Sequence, residues 1–261
     1  MTTPSDWLTE RRVVVRDDPA GVAAVLANRL TTKLVKGTRH GAVMHVSLTG
    51  GSVGIGSLRA AAAHPQAADV NWSHVHFWWS DERFVPRADA ERNALQAREA
   101  YLDHIPVPAG NVHEMPAADD GMGLDDAARA YAAELARFGS DEQPWPAFDI
   151  CLLGVGPDGH IASLFPDRPE VRVTDDAVVP VRDSPKPPPE RLSLTRPVIN
   201  SSRRVWMGLA GADKAPALGL ILAGASYANV PAAGAKGRQR TFVFVDSAAA
   251  AEVPPELIER D

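Results

Sequence analysis

Phe148-Asp149-Ile150-Cys151-Leu152-Leu153-Gly154-Val155-Gly156-Pro157-Asp158-Gly159-His160 is the stretch on which the reading of this chain turns. Residues 148–153 form the clearest run for a buried strand, short and apolar, and Gly154 bounds it. A glycine-rich turn follows at once, with an aspartate and a histidine two residues apart. Working outward, residues 43–48, 75–79, 205–209 and 241–245 also read as strands. Asp18-Pro19 gives a helix start, after which Val22, Val25, Leu26, Leu30 and Leu34 recur at helical spacing until Gly37. Further helical patterns fall near 56–63, 90–102, 124–138 and 214–222. Strands alternating with helices predict an α/β fold with a Rossmann-like, mostly parallel sheet and helices on both faces. No internal repeat or long linker interrupts the pattern. A single domain over residues 1–261 is expected, at most with a small lid-like insertion.

Composition narrows the function classes. The chain has 261 residues, 45% hydrophobic and 23% charged, enough for a substantial core. A net charge of −6 argues against nucleic acid as a partner. Cys151 is the only cysteine, so no intramolecular disulfide can form. The N-terminal run lacks the basic-then-apolar order of a secretory signal, and no apolar run approaches the ~18 residues of a membrane span. The expectation is a cytoplasmic protein without membrane contact, and a monomer by default, since no stripe beyond ordinary core periodicity asks for a partner.

Ligands of open α/β sheets bind beyond the carboxyl ends of the strands. Thr49–Gly54, Ser80–Pro86 and Gly154–Pro166 all sit there, and neighbouring strands would bring them to one pocket. The first, Thr-Gly-Gly-Ser-Val-Gly, suits close approach of a phosphate to a helix start, although a ligand-free tight turn has the same composition. Its match to G-x-S-x-G is set aside, because the triad histidine of that fold falls late and the elbow strand follows several others. Asp81-Glu82-Arg83 offers a guanidinium for a phosphate or carboxylate, held by acids, against the plain reading of a solvated charge run. Residues 154–159 satisfy G-x-G-x-x-G, yet Pro166 and Pro169 cut short the helix a dinucleotide site requires. What remains is Asp158 and His160: a general base near neutral pH with a carboxylate to fix its tautomer, or a turn in which Asp158 simply caps backbone amides. His74 and His76 would share a strand face, but no third ligand stands at a recognisable spacing, so no metal site is assigned. Lys186, Arg191 and Lys214 are cations whose placement spacing does not decide.

These motifs resemble those of a known family. Gly154-Val-Gly-Pro-Asp-Gly-His-Ile-Ala-Ser-Leu-Phe-Pro166 is similar to the signature of the 6-phosphogluconolactonases. Leu48-Thr-Gly-Gly-Ser52 and Trp79-Ser-Asp-Glu-Arg-Phe-Val-Pro86 resemble that family's two earlier motifs, in the same order. The resemblance implies a fold shared with sugar-phosphate isomerases and deaminases. It also implies cofactor-free hydrolysis of 6-phospho-D-glucono-1,5-lactone in the oxidative pentose phosphate pathway. By that pattern His160 is the general base and Asp158 its partner. Gly50, Gly51, Ser52 and Arg83 would surround the substrate, Arg83 on the phosphate, and Lys186 and Arg191 match a basic stretch near it. Deaminases of this fold follow D-G-H-I-A with Phe-Asn-Glu, whereas this chain has Ser163-Leu164-Phe165. A non-catalytic sugar-phosphate sensor is the alternative from another class, and no DNA-binding segment supports it.

Overall fold

Asp18 and Pro19 begin the first helix as their chemistry dictates. The Asp18 carboxylate accepts the Gly21 N–H at 2.7 Å, and Pro19 occupies a position with no amide to lose. The computed structural model describes residues 11–254 together with Glu256 and Ile258. In chain order these form β1 (Arg11–Arg16), α1 (Pro19–Thr38), β2 (Met44–Leu48), α2 (Gly51–Ala62), β3 (Val75–Trp79), β4 (Asp81–Arg83), α3 (Asn93–Ala100) and α4 (Leu124–Ala136). Then follow β5 (Ile150–Gly154), β6 (Val178–Val181), β7 (Arg191–Leu194), α5 (Arg196–Ser201), β8 (Arg204–Leu209), α6 (Ala215–Leu222) and β9 (Arg240–Asp246). No described helix is long and apolar enough to cross a membrane.

Six strands form a parallel sheet in the order β1-β9-β8-β5-β2-β3. Ile150, Cys151, Leu152 and Leu153 are successive in β5 and none is more than 5% exposed, so both faces of the central strand are covered. The α/β expectation therefore holds. From β2 the chain moves outward to β3, then returns to place β5 on the other side of β2. The order of strands reverses between β2 and β5, the point at which such sheets open a crevice. Their register runs only through Val46↔Ile150 and Ser47↔Cys151. Beyond that the strands part, and Gly154 N–H reaches across to Thr49 Oγ1 at 3.2 Å.

Several boundaries differ from the sequence expectation. Asp149 lies before β5 rather than within it, because its carboxylate accepts the His45 N–H at 3.1 Å and pairs with Arg203 at 2.9 Å. Helix α2 begins at Gly51, so the glycine loop is the helix's own first turn. Asp81-Glu82-Arg83 is a short strand, not a loop, and pairs with β7 in a second, antiparallel sheet ordered β4-β7-β6. His74 closes a short 3-10 turn ahead of β3 and so does not share a strand face with His76. His76 instead meets His113 at 2.9 Å, and His113 meets Glu134 at 2.8 Å.

Candidate active site

The loops after β2, β3 and β5 do converge, on a cleft of about 270 Å³ at the β2/β5 opening. Gly50, Gly51, Ser52, Arg83, His160, Lys186 and Arg191 all line it. Asp158 does not; it stands behind His160. Helix α2 enters the cleft uncapped by any side chain, so amides of its first turn are left for a ligand. Gly51 needs its glycine for a φ of +80°, and a β-carbon on Gly50 would strike the Asn93 side chain.

The turn after β5 builds the His160–Asp158 pair. Gly156 N–H donates to the His160 carbonyl at 3.0 Å, and Gly159 N–H donates to the Gly156 carbonyl at 2.9 Å. Gly159 takes a φ of +80° to close this loop. A β-carbon on Gly156 would overlap both the His160 ring and the Asp158 carboxylate, so the close-packed pair exists only because residue 156 has no side chain. His160 Nδ1 lies 2.5 Å from Asp158 Oδ1. That bond assigns the proton to Nδ1 and leaves Nε2 as the free acceptor of a ring that lines the cleft. Burial raises the Asp158 carboxyl, but the His160 hydrogen bond and the charges of His160 and Lys186 outweigh it and hold it at about 2. The other side of the His160 ring packs on Phe165, 4.6 Å between centroids.

Arg83 and Arg191 are register partners across β4 and β7, which explains how residues so distant in sequence meet. Their employment differs. Arg83 donates through Nη1 to the Glu91 carbonyl at 2.5 Å, while its Nε is buried with no hydrogen-bond partner among the described residues. Arg191 is 5% exposed and donates to the carbonyls of Lys186, Pro187 and Pro188 at 3.0, 2.9 and 3.1 Å. It therefore holds the proline-rich loop in place as well as facing the cleft. Burial lowers the pKa of Lys186, with Lys214 and Arg191 adding to the effect against Asp158. Glu82 points away from the cleft. It accepts the amides of Arg83, Asn93 and Ala94 at 2.8, 2.7 and 2.8 Å, locking β4 to the start of α3. Burial pushes its carboxyl up to about 7 against the pull of Arg92 and these amides.

A family model described as glucosamine-6-phosphate isomerases/6-phosphogluconolactonase matches residues 17–244. The chain belongs to this family. A 6-phosphogluconolactonase of Streptomyces coelicolor is 47% identical over 250 residues, covering 94% of this chain and 96% of that protein. A 6-phosphogluconolactonase of Mycobacterium leprae is 50% identical over 211 residues, 80% of this chain and 85% of that one. The crystal structure of a 6-phosphogluconolactonase from Thermotoga maritima matches with a TM-score of 0.77 at 28% identity, over 90% of this chain and 99% of that chain.

As a member of this glucosamine-6-phosphate isomerase/6-phosphogluconolactonase family, the chain also brings to the cleft Asn93, which sequence reasoning passed over, and Asp81, read there only as an acid holding Arg83. Asp81 is 5% exposed and accepts the Ser163 hydroxyl at 2.8 Å. Asn93 donates to the Asp81 carbonyl at 2.9 Å, and its own Oδ1 is buried without a partner among the described residues. Lys214, undecided from spacing, lines the cleft beside Asp213. Asn93 lies in a polar stretch with no motif around it. Only the three-dimensional approach of α3 to Gly50 singles it out.

Proposed function

We propose that this chain hydrolyses 6-phospho-D-glucono-1,5-lactone to 6-phospho-D-gluconate in the oxidative pentose phosphate pathway. The family and its named relatives support the substrate; the observation that carries the mechanism is His160, oriented by Asp158 through Nδ1 with Nε2 left to the cleft. Nε2 takes a proton from water as that water attacks the lactone carbonyl carbon. The tetrahedral intermediate carries negative charge on the former carbonyl oxygen, which amides of the glycine loops are placed to stabilise. Collapse breaks the bond to the ring oxygen, and His160 returns its proton there. A lactone is already an activated ester, so one base and good positioning suffice without a covalent intermediate or cofactor.

Arg83, with its unpartnered Nε, is assigned to the phosphate, with Lys186 and Lys214 completing a cationic rim. Arg191 has its donors on carbonyls, so it acts on the substrate chiefly by holding Lys186 in position. Gly50, Gly51 and Ser52 supply backbone approach to the sugar. Phe165 fills the place where a deaminase of this fold would carry its glutamate, which speaks against the deaminase reading.

The test is hydrolysis of freshly generated lactone against its spontaneous background, with chelated protein. We expect metal-independent turnover, and a fall of about 10²–10⁴ in kcat for His160→Ala at an unchanged melting temperature. A fully active His160→Ala protein would remove the histidine from the mechanism. Arg83→Ala should raise KM strongly with a smaller effect on kcat; an unchanged KM takes Arg83 off the phosphate.

A further inference from the structure

A cavity larger than the cleft lies at the opposite end of the sheet. It is a groove of about 500 Å³ between α1 and the amino ends of β8 and β9. Its walls carry five cations, Arg29, Lys33 and Lys36 from α1 and Arg204 and Arg240 from the strands, and not one carboxylate. Lys33, Lys36, Arg204 and Arg240 make no ion pair among the described residues. This is a conspicuous concentration in a chain whose net charge is −6. Strand β8 runs from Arg204 in this groove to Gly208 in the cleft, a separation of roughly 13 Å along an extended strand.

One feature of this arrangement costs stability when the groove is empty. Arg204 and Arg240 are register partners on adjacent strands, which sets two like charges side by side at the cavity. Arg29 lies over the Phe242 ring, 4.8 Å from its centroid. Burial lowers the pKa of Lys33, and the charges of Arg204 and Lys36 lower it further. The inner wall is Trp206 and Phe242, and Trp206 is 2% exposed with its Nε1–H buried and lacking a partner among the described residues.

We propose that this groove is a second ligand site, for a small molecule carrying two or more linked phosphate groups. Linked phosphates would span the helix cations and the strand cations at once, relieving the repulsion between Arg204 and Arg240. The cavity is of the size that encloses a small ligand, and its concave shape favours such a molecule over a flat macromolecular surface. The site is independent of the catalytic reading.

The probes are ATP and inorganic triphosphate, titrated calorimetrically at low salt into the intact protein. Both should bind, more weakly as salt rises. Lys33→Ala/Arg240→Gln should weaken binding by about tenfold or more, the loss expected from removing charge-assisted contacts. Arg83→Ala, in the cleft, should change it by less than about twofold. Lactone hydrolysis by the double variant without added polyphosphate should match wild type, which verifies its fold. If that variant does not fold, Lys36→Glu on the exposed edge of α1 must show the same loss. ATP binding more tightly than triphosphate would assign the ligand to nucleotides; equal binding would assign recognition to the phosphates alone. No binding at millimolar probe, binding unaffected by these groove variants, or binding abolished by Arg83→Ala would each overturn the proposal.

Discussion

His160 owes its geometry to what its neighbours lack as much as to what they supply. Gly156 gives up a β-carbon so that the imidazole and the Asp158 carboxylate can lie 2.5 Å apart in a four-residue return. Gly156→Ala should therefore leave the strand and its core intact yet displace the ring. We expect kcat to fall by about as much as in His160→Ala, ~10²-fold or more, while the circular dichroism spectrum is unchanged. An active Gly156→Ala protein would show that the ring relaxes without cost. Asp158 remains ionised through the neutral range, its carboxyl lying near 2 instead of the usual 3.8. Its contribution to stability is thus present above about pH 4 and is lost only as the pH falls toward 2.

At the level of elements, the joint between β4 and α3 sets where Arg83 and Asn93 stand. One carboxylate, Glu82, satisfies three amides there. Glu82→Gln replaces an acceptor oxygen by a donor facing Ala94 N–H and Arg92, so we expect a loss of about 1–3 kcal/mol in chemical denaturation. A neutral or stabilising result would mean that removal of the buried charge outweighs the lost acceptor. Five of the six parallel strands, all but β1, and most of their helices were legible in the sequence because burial on both faces leaves continuous apolar runs, as in Ile150 to Leu153. The glycine loops and the Asp158–His160 pair were legible because they follow such runs directly. The small antiparallel sheet was not: β4 reads as three charges, and β6 and β7 flank a proline-rich loop with no periodicity of their own. Their pairing is non-local, so nothing within either segment announces it. The role of Arg191 as holder of that loop was hidden for the same reason.

Across the molecule, a cluster of neutral histidines lies at the amino ends of β2 and β3, the end of the sheet away from the cleft. Trp78 Nε1–H donates to His45 at 3.1 Å, His45 and His76 stack at 5.0 Å, and His76 bonds to His113. Burial and the neighbouring imidazoles pull His45 from 6.5 down to about 4, and burial lowers His76 and His113 as well. At these histidines the unfolded chain takes up protons first, so their contribution to stability should fall as pH drops from about 6.5 to about 4, opposed by Glu82, which takes up its proton first in the fold. Melting temperatures across that range test this, with a shallower slope expected for His45→Gln. Identical slopes in wild type and His45→Gln would mean that the cluster accepts charge without penalty. The bonds from Arg191 to the loop above the cleft bear on how such a protein can vary. All three go to main-chain carbonyls, at Lys186, Pro187 and Pro188. A carbonyl is offered by every amino acid, so the anchorage does not depend on which side chains the loop carries. Residue 186 can then be exchanged, by drift or by an engineer screening for altered lactone preference, while the loop keeps its seat.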